Sequence, residues 1–228
     1  EEIADQDSSL PHMLPDENDF SKKVSELGIK NDSKIVVYDS NGGGMAAARC
    51  WWMFRIFRHD DVAILNGGIP KWIAEGRPTE NNAPFPITSD FFCTKNKTLV
   101  RNISQIFANI ENGSELVVDA RSKERFDGVA PEPRKGSRAG HIPGSLNLPY
   151  INFFSKKQNF IIRNAEELSQ IVSNAGIDLT RPIITTCGSG VSAAMLALGF
   201  YLIGKDDVAV YDGSWSEWGM RSDTPIEK

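Results

Sequence analysis

The chain has 228 residues, 40% hydrophobic and 24% charged, with a formal net charge of −5. That is ordinary globular material, long enough for two small domains, and its acidic balance excludes the basic footprint of a nucleic-acid binder. No apolar run approaches a membrane span, and three cysteines (Cys50, Cys93, Cys187) and three histidines (His12, His59, His141), all widely scattered, exclude a disulfide scaffold and show no metal-ligand spacing.

In chain order, Gly28 to Asp39 reads as a strand, followed by a glycine-bearing turn, an apolar helix, a second strand within Asp60 to Asn66, and a Gly67-Gly68 turn into a helix holding Trp72. Residues 81–97, rich in Asn, Pro, Phe and Thr, have no periodicity and read as a linker. Glu115 to Arg121 is the next strand. Arg121 to Arg134 is marked by Gly128, Pro131 and Pro133 and reads as a loop, and Gly140 to Ser145 reads as a turn. Ile183-Ile184-Thr185-Thr186 is a short buried strand, Cys187-Gly188-Ser189-Gly190 a glycine-rich turn, and Val191 to Leu202 an alanine- and leucine-rich helix.

These elements repeat. Gly28 to Asp39 aligns with Gly176 to Cys187 at a constant shift of 148, and Asp60 to Gly68 aligns with Asp206 to Ser214 after a two-residue length difference. The tetrapeptide Asp-Asp-Val-Ala is identical in both copies, and Trp72 answers Trp218. Each copy has the βαβ alternation of an α/β domain with a parallel sheet. Residues 1–80 and 98–228 are the expected domains. The second copy begins near Leu99, so about fifty residues of the first are expected to precede Glu1, on the reasoning that both copies were once whole.

Asp39 stands where the second copy has Cys187, so chemistry is expected in the second copy alone. A cysteine between an apolar strand and a helix start faces unpaired backbone amides and the positive end of the helix dipole. Both favour the thiolate and make the sulfur a nucleophile. The alternative is a buried cysteine acting as a small apolar side chain. Arg125 and Arg134 are spaced to clamp an anionic substrate through paired hydrogen bonds, although loop arginines are also commonly solvated surface charges; the residue types leave both readings open.

Several ordered motifs resemble the two-domain rhodanese-like sulfurtransferases, most closely the 3-mercaptopyruvate branch: Pro11-His12-Met13-Leu14-Pro15, Cys50-Trp51-Trp52-Met53, Asp119-Ala120-Arg121, Glu132-Pro133-Arg134, Gly140 to Ser145, Cys187 to Ala193, and Tyr211 to Gly219. The resemblance implies two tandem rhodanese-like domains of α/β class, each a parallel sheet flanked by helices, the first incomplete at its N-terminus. It also implies a first domain that is an inactive copy, and a sulfane sulfur carried as a Cys187 persulfide with no cofactor or metal.

The same resemblance implies 3-mercaptopyruvate or thiosulfate as the donor, and cyanide or a thiol, such as thioredoxin or a small thiol, as the acceptor. It further implies that Arg125 and Arg134 form the carboxylate clamp and that the amides from Gly188 through Gly190 and Val191 to Ser192 cradle the persulfide. By the same resemblance Ser189 is expected nearest the protonation of pyruvate, supported by His12 and Glu1. The neutral Gly188-Ser189 pair favours 3-mercaptopyruvate, since thiosulfate-preferring relatives typically carry Arg-Lys there. Ala193 lacks the arginine that phosphatases of this fold use to bind phosphate. A non-catalytic binding module is the remaining alternative. Asp119 and His141 are expected to be structural, Cys50 and Cys93 ordinary thiols, and Trp51, Trp52, Trp215 and Trp218 packing residues. The cysteine usage suggests a reducing, cytoplasmic compartment.

Overall fold

The computed structural model describes residues 3–82, 85–155 and 161–228. In the first unit the helices are α1 (Glu17–Glu26), α2 (Met45–Ile56) and α3 (Gly68–Ala74), and the strands are β1 (Ile35–Val37) and β2 (Val62–Ile64). The strands pair in parallel, with Ile35 opposite Val62. The second unit holds β3 (Val100–Arg101), α4 (Ile103–Asn112), β4 (Leu116–Asp119), α5 (Lys123–Phe126), β5 (Leu146–Asn147), α6 (Ala165–Asn174), β6 (Ile183–Thr186), α7 (Val191–Leu202), β7 (Ala209–Tyr211) and α8 (Ser214–Trp218). Its five strands run parallel in the order β3-β7-β6-β4-β5. The expected strand before Cys187 and the helix after it are both present, and every residue of β4 and β6 is buried. Continuous burial is what a parallel strand covered on both faces requires.

Local chemistry sets the helix starts. Asp16, Asn102 and Asn164 accept from the third residue of α1, α4 and α6, and in the last two a return bond from Gln105 or Glu167 completes a capping box. α7 is apolar on every face, and a helix of that kind is stable in water only when surrounded. It lies against its own sheet on one side and α2 on the other; Ala193 to Phe200 are all buried. α2 occupies the same place in the first copy, so the two repeats meet through their equivalent helices. Trp51 of α2 and Tyr201 of α7 meet edge to face at 5.2 Å, with the Arg55 guanidinium 4.6 Å over the Tyr201 ring. The other tryptophans pack as expected: Trp52 is 1% exposed with its indole N–H donated to the Leu99 carbonyl, and Trp215 and Trp218 are in the core.

Two sequence readings need adjustment. Arg121 to Arg134 is not irregular throughout, because Lys123–Phe126 makes one helical turn. The run after Ser122 holds no proline or glycine until Gly128, and Phe126 anchors it by stacking on His141 at 3.7 Å between ring centres. Residues 85–96, though without helix or strand, are bound closely to the first unit. Ser89 and Phe91 donate backbone N–H groups to Ser25, Phe92 donates to Asn31, and Phe91 is buried beside Phe20, Phe54 and His59.

Candidate functional site

Cys187 directly follows β6 and is 2% exposed. The turn after it is shaped by ties on its carbonyls. Cys187 O accepts from Trp215 N at 2.9 Å, and Gly188 O accepts from Ser216 N at 2.8 Å and from Arg134 Nη1 at 3.5 Å. Gly190 O accepts from Arg49 Nη1 at 3.4 Å. With the carbonyls held outward, the N–H groups of Gly188, Ser189, Gly190, Val191 and Ser192 have no acceptor among the described residues. Five successive free amides at the start of α7 form a site for negative charge. Gly190 is required there. Its φ is +76°, and a Cβ would stand 2.8 Å from Asp212 O and 2.9 Å from Arg49 Nη1.

Both candidate arginines reach this turn. Arg134 bonds the Gly188 carbonyl, and a Cβ on Gly188 would lie 3.3 Å from Arg125 Nη2, so any side chain at that position would crowd the guanidinium. Arg125 is oriented by Glu132, donating Nε to Oε1 at 3.1 Å and Nη2 to Oε2 at 2.6 Å. Glu132 is itself held by Arg121 Nη1 at 2.9 Å, and Arg121, 2% exposed and 4.2 Å over Trp215, is gripped from below by Asp119. An Asp119–Arg121–Glu132–Arg125 chain therefore runs from the strand end to the cysteine turn. It gives Asp119 a structural role. His141 is structural too, with Nδ1 at 2.8 Å from the Phe126 carbonyl.

The first unit supplies a wall. A cavity of about 720 Å³ lies between the repeats, lined by His12, Ala46, Arg49, Cys50, Met53 and the turn residue Val191. His12 thus shares a cavity with the start of α7, in a left-handed backbone with φ +62°. Glu1 lies outside the described residues. Arg49 was not foreseen from sequence, yet it is the main tie across the interface: 6% exposed, it pairs with Asp212 at 2.6 Å and donates to the His12 and Gly190 carbonyls. The Asp212 carboxylate also takes the Leu14 N–H at 2.9 Å. The signal in the sequence was Arg49 itself, one of two arginines in an otherwise apolar helix. Cys50 also lines the cavity, and burial pushes its thiol up to about 11, which keeps it protonated at neutral pH. Burial likewise raises Cys93.

The repeat supplies an internal comparison. Swapping the copies, the places of Cys187 and Asp212 are taken by Asp39 and Asn66 of the first and the place of Arg49 by Met195 of the second, and the corresponding cavity, of about 420 Å³, is lined by Met195, Leu198, Trp51 and Val62. Charge and nucleophile are gathered on one side only. Among the described residues no group of three His, Cys, Asp or Glu is arranged to hold a metal, and no helix is long and apolar enough to cross a membrane.

The family profile of the rhodanese-like domain matches residues 7–75 and again 103–221. The chain belongs to the rhodanese-like family. Two such matches in one chain agree with the repeat read from the sequence. The mitochondrial thiosulfate/3-mercaptopyruvate sulfurtransferase 1 of Arabidopsis thaliana is 43% identical over 99% of this rhodanese-like chain, which spans 64% of that relative's length. The thiosulfate sulfurtransferase of Rattus norvegicus is 42% identical over 97% of the chain and 75% of its own. Among solved structures, the rhodanese-fold SseA of Escherichia coli, named with the 3-mercaptopyruvate sulfotransferases, superposes with a TM-score of 0.82 at 33% identity, over 94% of this chain and 79% of its own.

Proposed function

We propose that this chain is a sulfurtransferase that takes a sulfane sulfur from 3-mercaptopyruvate onto Cys187, releases pyruvate, and passes the sulfur to a thiol or to cyanide. The observation that carries it is the junction of one cysteine, five unpaired amides and two arginines at a single turn. The Cys187 thiolate attacks the donor sulfur, an S–S bond forms as the C–S bond breaks, and the electron pair leaves on carbon as pyruvate enolate, which is then protonated. The amides from Gly188 to Ser192 receive the charged outer sulfur as it develops. Arg125 and Arg134 hold the donor carboxylate. His12 faces the shared cavity and supports Ser189 in delivering the proton, and Glu1 is assigned to the same task. A thiol acceptor, small or on a protein such as thioredoxin, then takes the outer sulfur and restores the thiolate.

Thiosulfate is the second donor to weigh, because a relative of 42% identity carries that name. The Gly188-Ser189 pair adds no cation to meet a dianion, which favours the single carboxylate of 3-mercaptopyruvate. Steady-state comparison of both donors, with cyanide as acceptor, tests this: kcat/KM is expected to be higher for 3-mercaptopyruvate, and the opposite order would reassign the donor. Intact mass after donor addition should rise by one sulfur in the native chain but not in Cys187→Ser; an unchanged native mass would sink the sulfurtransferase reading altogether.

A further inference from the structure

Resting on that reading, we propose that the Ser214 hydroxyl is a positioning residue for the nucleophile, fixing the Cys187 peptide so that the amides after it face the sulfur. Ser214 is fully buried, and its Oγ accepts the Cys187 N–H at 3.2 Å while donating to the Tyr211 carbonyl at 2.8 Å. The Thr186 hydroxyl, one residue before the nucleophile, also reaches it at 3.4 Å. The next two residues continue the clamp, since Trp215 N and Ser216 N take the Cys187 and Gly188 carbonyls. Three consecutive residues thus bind the N–H and C=O of Cys187 and the C=O of Gly188. This leaves the peptide planes of the turn little freedom to rotate.

Ser214 does this from an unfavourable backbone. Its φ is +48°, one of three positive values among non-glycine residues in the described chain. The first repeat shows the same turn without the task. Gly68 occupies the matching place at φ +55°, where a Cβ would stand 2.6 Å from the Asp39 carbonyl, and Pro70, which has no N–H, stands where Ser216 donates. The bond common to both copies survives, Ile69 N to Asp39 O at 3.2 Å. The copy with the nucleophile therefore has two bonds onto Cys187 and Gly188 that the copy without it lacks, made by the Ser214 hydroxyl and the Ser216 N–H, and carries a side chain where glycine would be easier.

Two variants separate the hydroxyl from the strain. Ser214→Ala keeps the Cβ and the left-handed backbone but loses the hydroxyl; Ser214→Gly also relieves the backbone. Both are expected to lower kcat about tenfold with KM for 3-mercaptopyruvate changed less than about threefold, the size of one lost hydrogen bond acting on the reacting group. Iodoacetamide modification of Cys187 without donor should slow by a similar factor, with its pH profile moved to higher pH. Ser214→Gly should melt at or above the native temperature, so the loss is not unfolding. Native kcat and alkylation rate in Ser214→Ala, or loss in Ser214→Ala that Ser214→Gly restores, would overturn the proposal. If the native chain takes no sulfur from either donor, the sulfurtransferase reading fails, while the alkylation comparison still decides Ser214.

Discussion

Glu132 holds two arginines at once, with its side chain only 4% exposed. Removing one partner of a buried charge cluster costs more than the pair itself contributes, because it leaves a charge without compensation. Glu132→Ala should therefore lower stability by about 3 kcal/mol in urea unfolding. It should also raise KM for 3-mercaptopyruvate, since Arg125 loses the partner that orients it. Arg125→Lys should raise KM by about tenfold with stability nearly unchanged, because an ammonium cannot replace the planar fork. Cys50 gives a pH prediction. Its folded pKa, about 11, lies above that of an unfolded thiol, so the folded chain holds that proton more tightly. The corresponding stability, about 3 kcal/mol, is complete below pH 8 and lost as pH rises through 11. Thermal melts across that range should show a slope that Cys50→Ala reduces. At the residue scale the sequence made Cys187 and the glycines legible, because strand, turn and helix fall in succession there. It did not show the ties made by Arg49, Glu132 or Ser214: Arg49 and Ser214 meet partners distant in the chain, and Glu132 meets its two arginines through a loop whose course composition does not encode.

Elements were read best where burial is complete. β6 and α7 emerged with their boundaries because an apolar run between a proline and a glycine turn has few alternatives, whereas α5 was hidden by the prolines C-terminal to it. α7 also holds a test of packing. Gly199 lies mid-helix, where glycine costs about 1 kcal/mol against alanine, yet a Cβ there would come within 2.1 Å of the Phe153 ring. Gly199→Ala is accordingly expected to destabilise by about 1–3 kcal/mol despite the gain in helix propensity, as Phe153 is forced from its site. A rise in melting temperature would show that Phe153 moves freely. The short elements β3 and β5 left no periodic signal, as two residues cannot display a pattern.

For the whole molecule, the repeat predicted two α/β units, and the structure adds how they join: equivalent helices face each other and one buried ion pair lies beside the reactive turn. Arg49→Met places in α2, beside the reactive turn, the residue that α7 carries at the matching position, Met195. It strips the Asp212 carboxylate of its cation and should cost about 3 kcal/mol in thermal or urea unfolding, together with most of the sulfur-transfer rate, because the His12 and Gly190 carbonyls lose their common donor. The segment 85–96 adds one more consequence. Residues 78–82 are exposed and outside any helix or strand, the kind of backbone a protease enters, while the chain just beyond them leads covalently into the second unit but is bonded to the first. A single cut there would leave a larger fragment still grasping the smaller one by this arm. The nicked protein should elute from a sizing column as one particle and separate into two bands only in detergent.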